Sequence, residues 1–227
     1  MEATTLALTI DGAQRNFRFR KGTVDEAFVV HALMNTAYAF GPLRRAAEVF
    51  GLYERMLRIG KTPLIVDAAA NIGAGAVYFA LKYPKAKLVA VEPEPDNYDL
   101  LVANTRDLPI ECLNASVVSS LPPDGVSAPG NDRIIIDDIY RRSEPKAAPF
   151  IVKVDAERQG ASFFSGSAEW VARTPVIIVR LNDCLIPGTS NSRACVDYLT
   201  DCNRDFAYHN DGIFSVDREL LAHPFDS

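Results

Sequence analysis

Leu64-Ile65-Val66-Asp67-Ala68-Ala69-Ala70-Asn71-Ile72-Gly73-Ala74-Gly75 opens the stretch that decides the fold. An apolar-periodic run to Tyr83 follows, and then Lys87-Leu88-Val89-Ala90-Val91-Glu92-Pro93. An apolar run closed by Asp67, a loop of small residues, a helix-length segment and a second apolar run closed by Glu92 make a βαβ unit. Small residues in such a loop let backbone approach a ligand at the carboxyl edge of the sheet. An acid closing the second strand stands where it can accept both hydroxyls of a ribose. The stretch therefore reads as half of a site for a nucleoside cofactor. The bland alternative, an α/β domain whose loop binds nothing, stays open at this point.

The loop discriminates between cofactors. A dinucleotide fingerprint needs Gly-x-Gly-x-x-Gly, so that backbone amides can cradle a pyrophosphate. Here the glycines come late, at Gly73 and Gly75, and the first strand ends in an acid. An anion beside a pyrophosphate is unfavourable, whereas an anion beside a sulfonium and an ammonium is favourable. That argues for S-adenosylmethionine over a nicotinamide dinucleotide.

Composition sets the outer limits. The 227 residues are 48% hydrophobic and 23% charged, ordinary for a globular protein able to bury a sizeable core without disulfides. The net charge of −5 and the lack of a basic block argue against a nucleic-acid partner. Cys112, Cys184, Cys195 and Cys202 form no Cys-x-x-Cys pair, and the three histidines lack metal-ligand spacing. Reduced thiols, no metal site and a cytoplasmic location are expected. No signal peptide is expected either, because Glu2 is followed by a strand-like run. No apolar run approaches the roughly 18 residues of a membrane span.

Outward from the central unit, Thr4–Ile10 alternates as a strand, Asp11-Gly12 is a turn signal, and Asn16–Phe19 reads as the returning strand. This hairpin is expected on the edge of the main domain. Thr23 can cap a helix from Val24, with Glu26 in the capping-box position. Pro42 suits the first turn of a second helix carrying Leu43, Ala46, Ala47, Phe50, Leu52, Tyr53 and Leu57, which Gly60 ends. These helices either cover the mouth of the site or pack as core, and apolar stripes usually mean packing. Downstream, Asp96 opens a helix, and Ile110–Val118 reads as one strand with Asn114-Ala115 inside it. Residues 119–132 hold three prolines and two glycines and read as a loop. Asp137-Asp138 more often cap a helix than bind metal. Phe150–Val154 ends in Asp155, with Glu157 two residues on, and Ala161–Val171 is predicted helical. Val176–Leu181 reads as a buried strand, Ser192–Thr200 as a helix, and Asp205–Val216 as two strands around Asn210-Asp211-Gly212. The alternation describes an open, mostly parallel sheet with one antiparallel edge. Residues 1–60 form an N-terminal hairpin and helical extension, and residues 61–227 the sheet domain.

Several separated blocks resemble one family, in the right order, over roughly residues 15 to 216. They are Lys61-Thr62-Pro63-Leu64-Ile65-Val66-Asp67, Ala70-Asn71-Ile72-Gly73, Val91-Glu92-Pro93-Glu94-Pro95-Asp96-Asn97, Phe150-Ile151-Val152-Lys153-Val154-Asp155 and Thr174-Pro175-Val176-Ile177-Ile178-Val179. Phe17-Arg18-Phe19-Arg20-Lys21-Gly22-Thr23 and Phe163-Phe164-Ser165-Gly166 with Trp170 extend the match. Together they resemble the FkbM family of S-adenosylmethionine-dependent methyltransferases. The resemblance implies the class I methyltransferase fold: a Rossmann-like, seven-stranded, mostly parallel sheet with an antiparallel edge hairpin. It implies methyl transfer to a hydroxyl oxygen of a small metabolite, often a sugar or polyketide. By position it places Asp67, Ala69, Asn71 and Gly73 around the methionine end of the cofactor, Glu92 on the ribose, and Asn114 and Ala115 near the adenine.

The departures from the family pattern are specific. Ala69 stands where the family usually has glycine. The family's Asp-x-Glu-Gly-Ala-Glu is here Asp155-Ala156-Glu157-Arg158-Gln159-Gly160, and its Glu-Leu-His-Asp is Arg180-Leu181-Asn182-Asp183. Methyl transfer needs an aligned oxygen, excluded water and a proton acceptor. Asp155 and Glu157 are the candidate catalytic acids; the alternative is that they cap a helix or pair with Arg158 or Lys153. His209 is read as a surface residue, and Tyr78 and Trp170 as core. An O-methyltransferase and a non-catalytic relative that binds the cofactor or a protein are both carried forward. A nicotinamide-dependent enzyme is disfavoured by the loop.

Overall fold

The strands foreseen from the apolar runs assemble into one sheet in the computed structural model. It describes residues 3–10, 13–35, 37–120, 132–143, 145–155, 161–164, 169–180, 191–200, 203–210 and 212–222. In chain order the strands are β1 (Ala3–Ile10), β2 (Ala13–Arg20), β3 (Thr62–Ala68), β4 (Lys87–Val91), β5 (Ile110–Leu113), β6 (Ser116–Val117), β7 (Arg133–Ile134), β8 (Ala147–Asp155), β9 (Val176–Arg180), β10 (Arg204–His209) and β11 (Gly212–Asp217). The helices are α1 (Val24–Val29), continued by a π-helical turn (Val30–Met34), then α2 (Ala46–Arg58), α3 (Ala74–Lys82), α4 (Pro95–Thr105), α5 (Ile136–Ser143), α6 (Glu169–Arg173), α7 (Asn191–Thr200) and α8 (Arg218–Ala222). A 3-10 turn covers Ala161–Phe164.

The main sheet has the order β10-β11-β9-β8-β3-β4-β5. β11 runs antiparallel to both its neighbours, and the pairs among β9, β8, β3, β4 and β5 are parallel. Counting only its own strands, the sheet reads sixth, seventh, fifth, fourth, first, second, third. This is the class I methyltransferase sheet, a Rossmann-like doubly wound fold, as the sequence led one to expect. Its chain reversal falls between β3 and β8, where ligands of such sheets bind outside the strand ends.

Side-chain alternation divides the core into two layers. Ile65, Leu88, Ala90, Ile151, Val176 and Ile178 face α2 and α3. Leu64, Val66, Val89, Val152, Ile177 and Val179 face α5, α6 and α7. Burial on both sides is why these strands read as unbroken apolar runs. α2 buries Val49, Leu52, Tyr53 and Met56, spaced to share one face. Tyr53 meets Phe150 and Tyr83 with ring centroids 5.7 and 5.1 Å apart. Such aromatic pairs each contribute about 0.5–1.5 kcal/mol beyond their buried area. Tyr78 and Trp170 are core residues, as expected.

Several expectations are corrected. The hairpin β1–β2 forms its own two-stranded sheet and packs against α4, away from the edges of the main sheet. Asn104 of α4 fastens it: Oδ1 accepts the Arg18 amide at 2.7 Å, and Nδ2 donates to the Arg18 and Ile72 carbonyls. Thr23 does cap α1, but its Oγ1 accepts from the Asp25 amide. The helix expected from Pro42 starts four residues later, at Ala46, and carries no side-chain cap. Residues Ile110–Val118 are not one strand: β5 ends at Leu113, and β6 leaves to pair with β7. Asp137 and Asp138 lie inside the first turn of α5, where acids suit the helix dipole. Among the described residues no group of side chains could hold a metal ion, and no helix is long and apolar enough to cross a membrane.

Candidate functional site

The loop between β3 and α3 is a run of alternating left-handed residues. Ala69, Asn71 and Gly73 have φ of 59°, 52° and 91°. Asparagine tolerates this region and glycine prefers it, but alanine pays a steric cost of about 1 kcal/mol. That explains physically why glycine suits position 69. At Gly73 a Cβ would stand 2.8 Å from Leu101 Cδ1, so a side chain there would also require Leu101 of α4 to shift. At Gly75 a Cβ would lie 2.9 Å from Asp67 Oδ2, so its bare backbone lets α3 close over the Asp67 carboxylate.

Glu92 is fully buried beyond the end of β4 and holds this loop in place. Its Oε2 accepts the Asn71 amide at 2.8 Å, and its Oε1 accepts the Glu94 amide and Asn97 Nδ2, both at 3.2 Å. Asn97 Oδ1 in turn accepts from Arg20 Nη2 at 2.5 Å, and Arg20 grips buried Asp25 with Nε and Nη2 at 2.7 and 3.0 Å. A continuous polar chain therefore joins α1, the hairpin, α4 and the loop. Asn114 sits where β5 ends, its Nδ2 donating to the Glu92 and Pro93 carbonyls at 2.8 and 3.2 Å. Ala115 is buried among the second core layer.

On the α3 side of the sheet, the row Ile65–Ile151–Val176 is apolar; one step further along, β3 and β8 turn charged while β9 keeps Ile178. Asp67 is in register with Lys153, and Asp155 with Arg180. Lys153 Nζ lies 2.9 Å from Asp67 Oδ1 and donates to the Ala69 carbonyl at 3.0 Å. Lys153 thus pairs with Asp67 Oδ1, and Asp67 Oδ2 has no hydrogen-bonding partner among the described residues. Both polar atoms of the Asn71 amide are likewise unpartnered there. Burial lifts the Asp67 carboxyl above the usual carboxylate range, and Lys153 pulls it back only in part. Burial alone would lower Lys153, but the negative charges of Asp67 and Asp155 outweigh it and raise the ammonium above its ordinary range. Asp155 Oδ2 is 3.5 Å from Arg180 Nη1, and the Arg180 guanidinium lies 4.7 Å over the Phe28 ring.

Phe28, Ala32 and Tyr38 roof this edge, so α1 and the segment after it do cover the site, while α2 packs as core. Under the roof, Ala70, Asn71, Ile72, Lys153 and Asp155 bound a cavity of only about 10 Å³. That is about the space of one water.

Of the residues singled out from sequence, Asp67, Ala69, Asn71, Gly73, Glu92 and Asp155 converge on the carboxyl edge, with Asn114 and Ala115 at its β5 end. Glu157, Arg158, Asn182 and Asp183 lie outside the described residues. Half-buried His209 contacts Asn210, with Nδ2 2.9 Å from Nε2. Lys153 and Arg180 were not singled out as site residues. Their signal was present: a charge at or near the end of an otherwise apolar buried strand. Tyr38 and Arg20 had no such signal.

Comparison with known proteins adds the following. No protein-family model matches the chain. A 42-residue segment is 55% identical to a protein described as methyltransferase sdnD from Sordaria araneosa. That segment is 18% of this chain and 16% of that protein's length. Solved structures of similar shape include a SAM-dependent O-methyltransferase from Thermotoga maritima, with a TM-score of 0.43 and 10% identity over 93% of this chain and 77% of that one. A methyltransferase from Geobacter sulfurreducens has a TM-score of 0.43 and 15% identity, over 88% of this chain and 90% of that one. The fold assignment rests on the strand order within this chain.

Proposed function

We propose that this chain is an S-adenosylmethionine-dependent methyltransferase acting on a hydroxyl of a small metabolite or sugar, in the manner of the FkbM family it resembles. The observation that carries the reading is the contact between Glu92 and the Asn71 amide, which ties the acid after the second strand of the sheet to the loop after the first. The charge balance supports the choice of cofactor. Asp67, Glu92 and Asp155 outnumber Lys153 and Arg180 at this edge, which suits a cationic ligand and opposes a pyrophosphate.

The residues fit that group chemically. Among the described residues Asn71 holds buried amide atoms without hydrogen-bonding partners, and Asp67 keeps Oδ2 beyond its pair with Lys153, suited to a carboxylate and an ammonium. Glu92 would receive ribose hydroxyls, at the expense of its present amide donors. Asn114 and Ala115 would border the adenine. When bound, the cofactor supplies a methyl group on a cationic sulfur; the carbon–sulfur bond breaks toward sulfur as the acceptor oxygen bonds to carbon. Asp155 would orient that hydroxyl and take its proton, with Arg180 fixing the carboxylate. Phe28, Ala32 and Tyr38 would exclude water once the roof, which now leaves about 10 Å³, has moved aside and closed again.

The same closed roof and the Asp155–Arg180 pair favour a second reading, a non-catalytic relative that binds cofactor or a protein partner. Calorimetric titration of S-adenosylmethionine into wild type and Glu92→Ala comes first. Binding that Glu92→Ala weakens supports the cofactor reading, and absence of binding at millimolar ligand overturns it. S-adenosylhomocysteine release with a panel of hydroxylated acceptors then separates turnover from binding. Release lost in Asp155→Asn supports the enzyme. Binding with no release from any acceptor leaves the second reading.

A further inference from the structure

A second cavity lies between the hairpin and α4, away from the carboxyl edge of the sheet. It encloses about 450 Å³ and is lined by Arg15, Arg18 and Arg106, with Gln14, Asn16 and Asn104 between them. Asp107 is the one acid among its described lining residues. This balance runs against the whole chain, whose net charge is −5.

Among the described residues these arginines are little engaged in ion pairs. Arg106 alone has a carboxylate nearby, Asp107 at 3.5 Å, and both side chains are solvent-exposed. Among the described residues the Arg15 and Arg18 guanidinium groups form no ion pair. By strand alternation Arg15 shares the inward face of β2 with buried Phe17 and Phe19, while exposed Arg18 flanks the groove from the other face. The Arg15 Nε is buried and, among the described residues, has no hydrogen-bonding partner. Leaving a buried charged donor unpaired is costly, and an oxyanion in the groove would remove that cost. The last turn of α4 opposes an anion with about half a negative charge. Three guanidinium groups outweigh it. The floor is rigid, since Asn104 ties the Arg18 backbone to Ile72.

We propose that the groove between the hairpin and α4 binds a small molecule through a phosphate or diphosphate group, held by Arg15, Arg18 and Arg106. Planar guanidinium groups bind phosphoryl oxygens in pairs, and a cavity of this size accommodates a compact metabolite. The site is separate from the one at Glu92 and does not depend on the function proposed for it.

The test is calorimetric titration of inorganic pyrophosphate into the full-length protein at two ionic strengths. Saturable binding that weakens with salt is expected. The double variant Arg15→Gln/Arg18→Gln is expected to bind at least about tenfold more weakly, or about 1.4 kcal/mol. Asp107→Asn, an exposed change that does not threaten folding, is expected to bind more tightly. Arg142→Gln, in a separate basic patch with Arg133 and Arg141, is expected to bind as wild type does. No binding at millimolar pyrophosphate overturns the proposal. So does binding unchanged in the double variant and in Asp107→Asn, or lost equally in Arg142→Gln.

Discussion

Asp67 and Lys153 are register partners on adjacent parallel strands, and their charged atoms meet 2.9 Å apart with both residues almost fully buried. Breaking a buried pair from one side leaves the other charge stranded in a low dielectric. Lys153→Met is therefore expected to cost about 3–5 kcal/mol of stability. Asp67→Asn/Lys153→Met is expected to cost clearly less than the sum of the single changes. Urea unfolding of the four proteins completes the cycle, and additive costs would show that the pair is not coupled.

Glu92 accepts backbone and side-chain donors from residues 71, 94 and 97, and so holds the loop and the start of α4 together. Hydrogen bonds to charged groups contribute about 1.5–3 kcal/mol each. Glu92→Gln keeps the shape but turns one acceptor oxygen into a donor group facing other donors. A loss of about 2–3 kcal/mol is expected. Faster amide exchange at Asn71 is expected alongside it. Unaltered exchange there would remove Glu92 as the fastener of the loop.

Ala69 holds a left-handed backbone at φ 59°. Ala69→Gly relieves the Cβ clash but adds freedom to the unfolded chain. The balance is expected to favour the variant by about 0.5–1 kcal/mol, read as a raised melting temperature. A lowered melting temperature would mean that the loop relaxes out of this conformation in solution.

Tyr83 is buried, and among the described residues its hydroxyl has no hydrogen-bonding partner. Burial pushes this phenol well above its ordinary range. Its folded pKa is thus raised above the unfolded one. The folded state holds the proton more tightly, so this contribution is complete below the unfolded pKa of about 10 and is lost as pH rises above it. Buried Tyr140 and Lys153 are raised as well and act in the same direction. Tyr83→Phe removes the unpaired hydroxyl and is expected to change stability at pH 7 by no more than about 1 kcal/mol, in the stabilising direction. Between about pH 9 and 11 its stability is expected to fall less steeply than that of wild type. Parallel curves would show that Tyr83 keeps an ordinary pKa.

Period and punctuation in the sequence determined a great deal here. The apolar runs ending in Asp67, Glu92 and Asp155 marked three neighbouring central strands, because strands buried on both faces must be apolar until they reach the functional edge. The late glycines marked the loop, and the loop's distance from a dinucleotide fingerprint pointed to the kind of cofactor. Neither periodicity nor spacing states which strands are neighbours or where they stand in register. That Asp67 meets Lys153, and Asp155 meets Arg180, was decided by the order and stagger of β3, β8 and β9. The split of Ile110–Val118 was decided in the same way, because pairing with β7 draws Ser116-Val117 out of the main sheet. Contacts between distant segments were the least legible. Arg20 reaches Asn97, and through it Glu92, only because the hairpin packs on α4 rather than on the sheet edge. Tyr38 roofs the site by packing over Gly75 of α3, a residue distant from it in the chain. Local sequence records which residues prefer burial or a turn; packing between elements far apart in the chain decides which charges face each other.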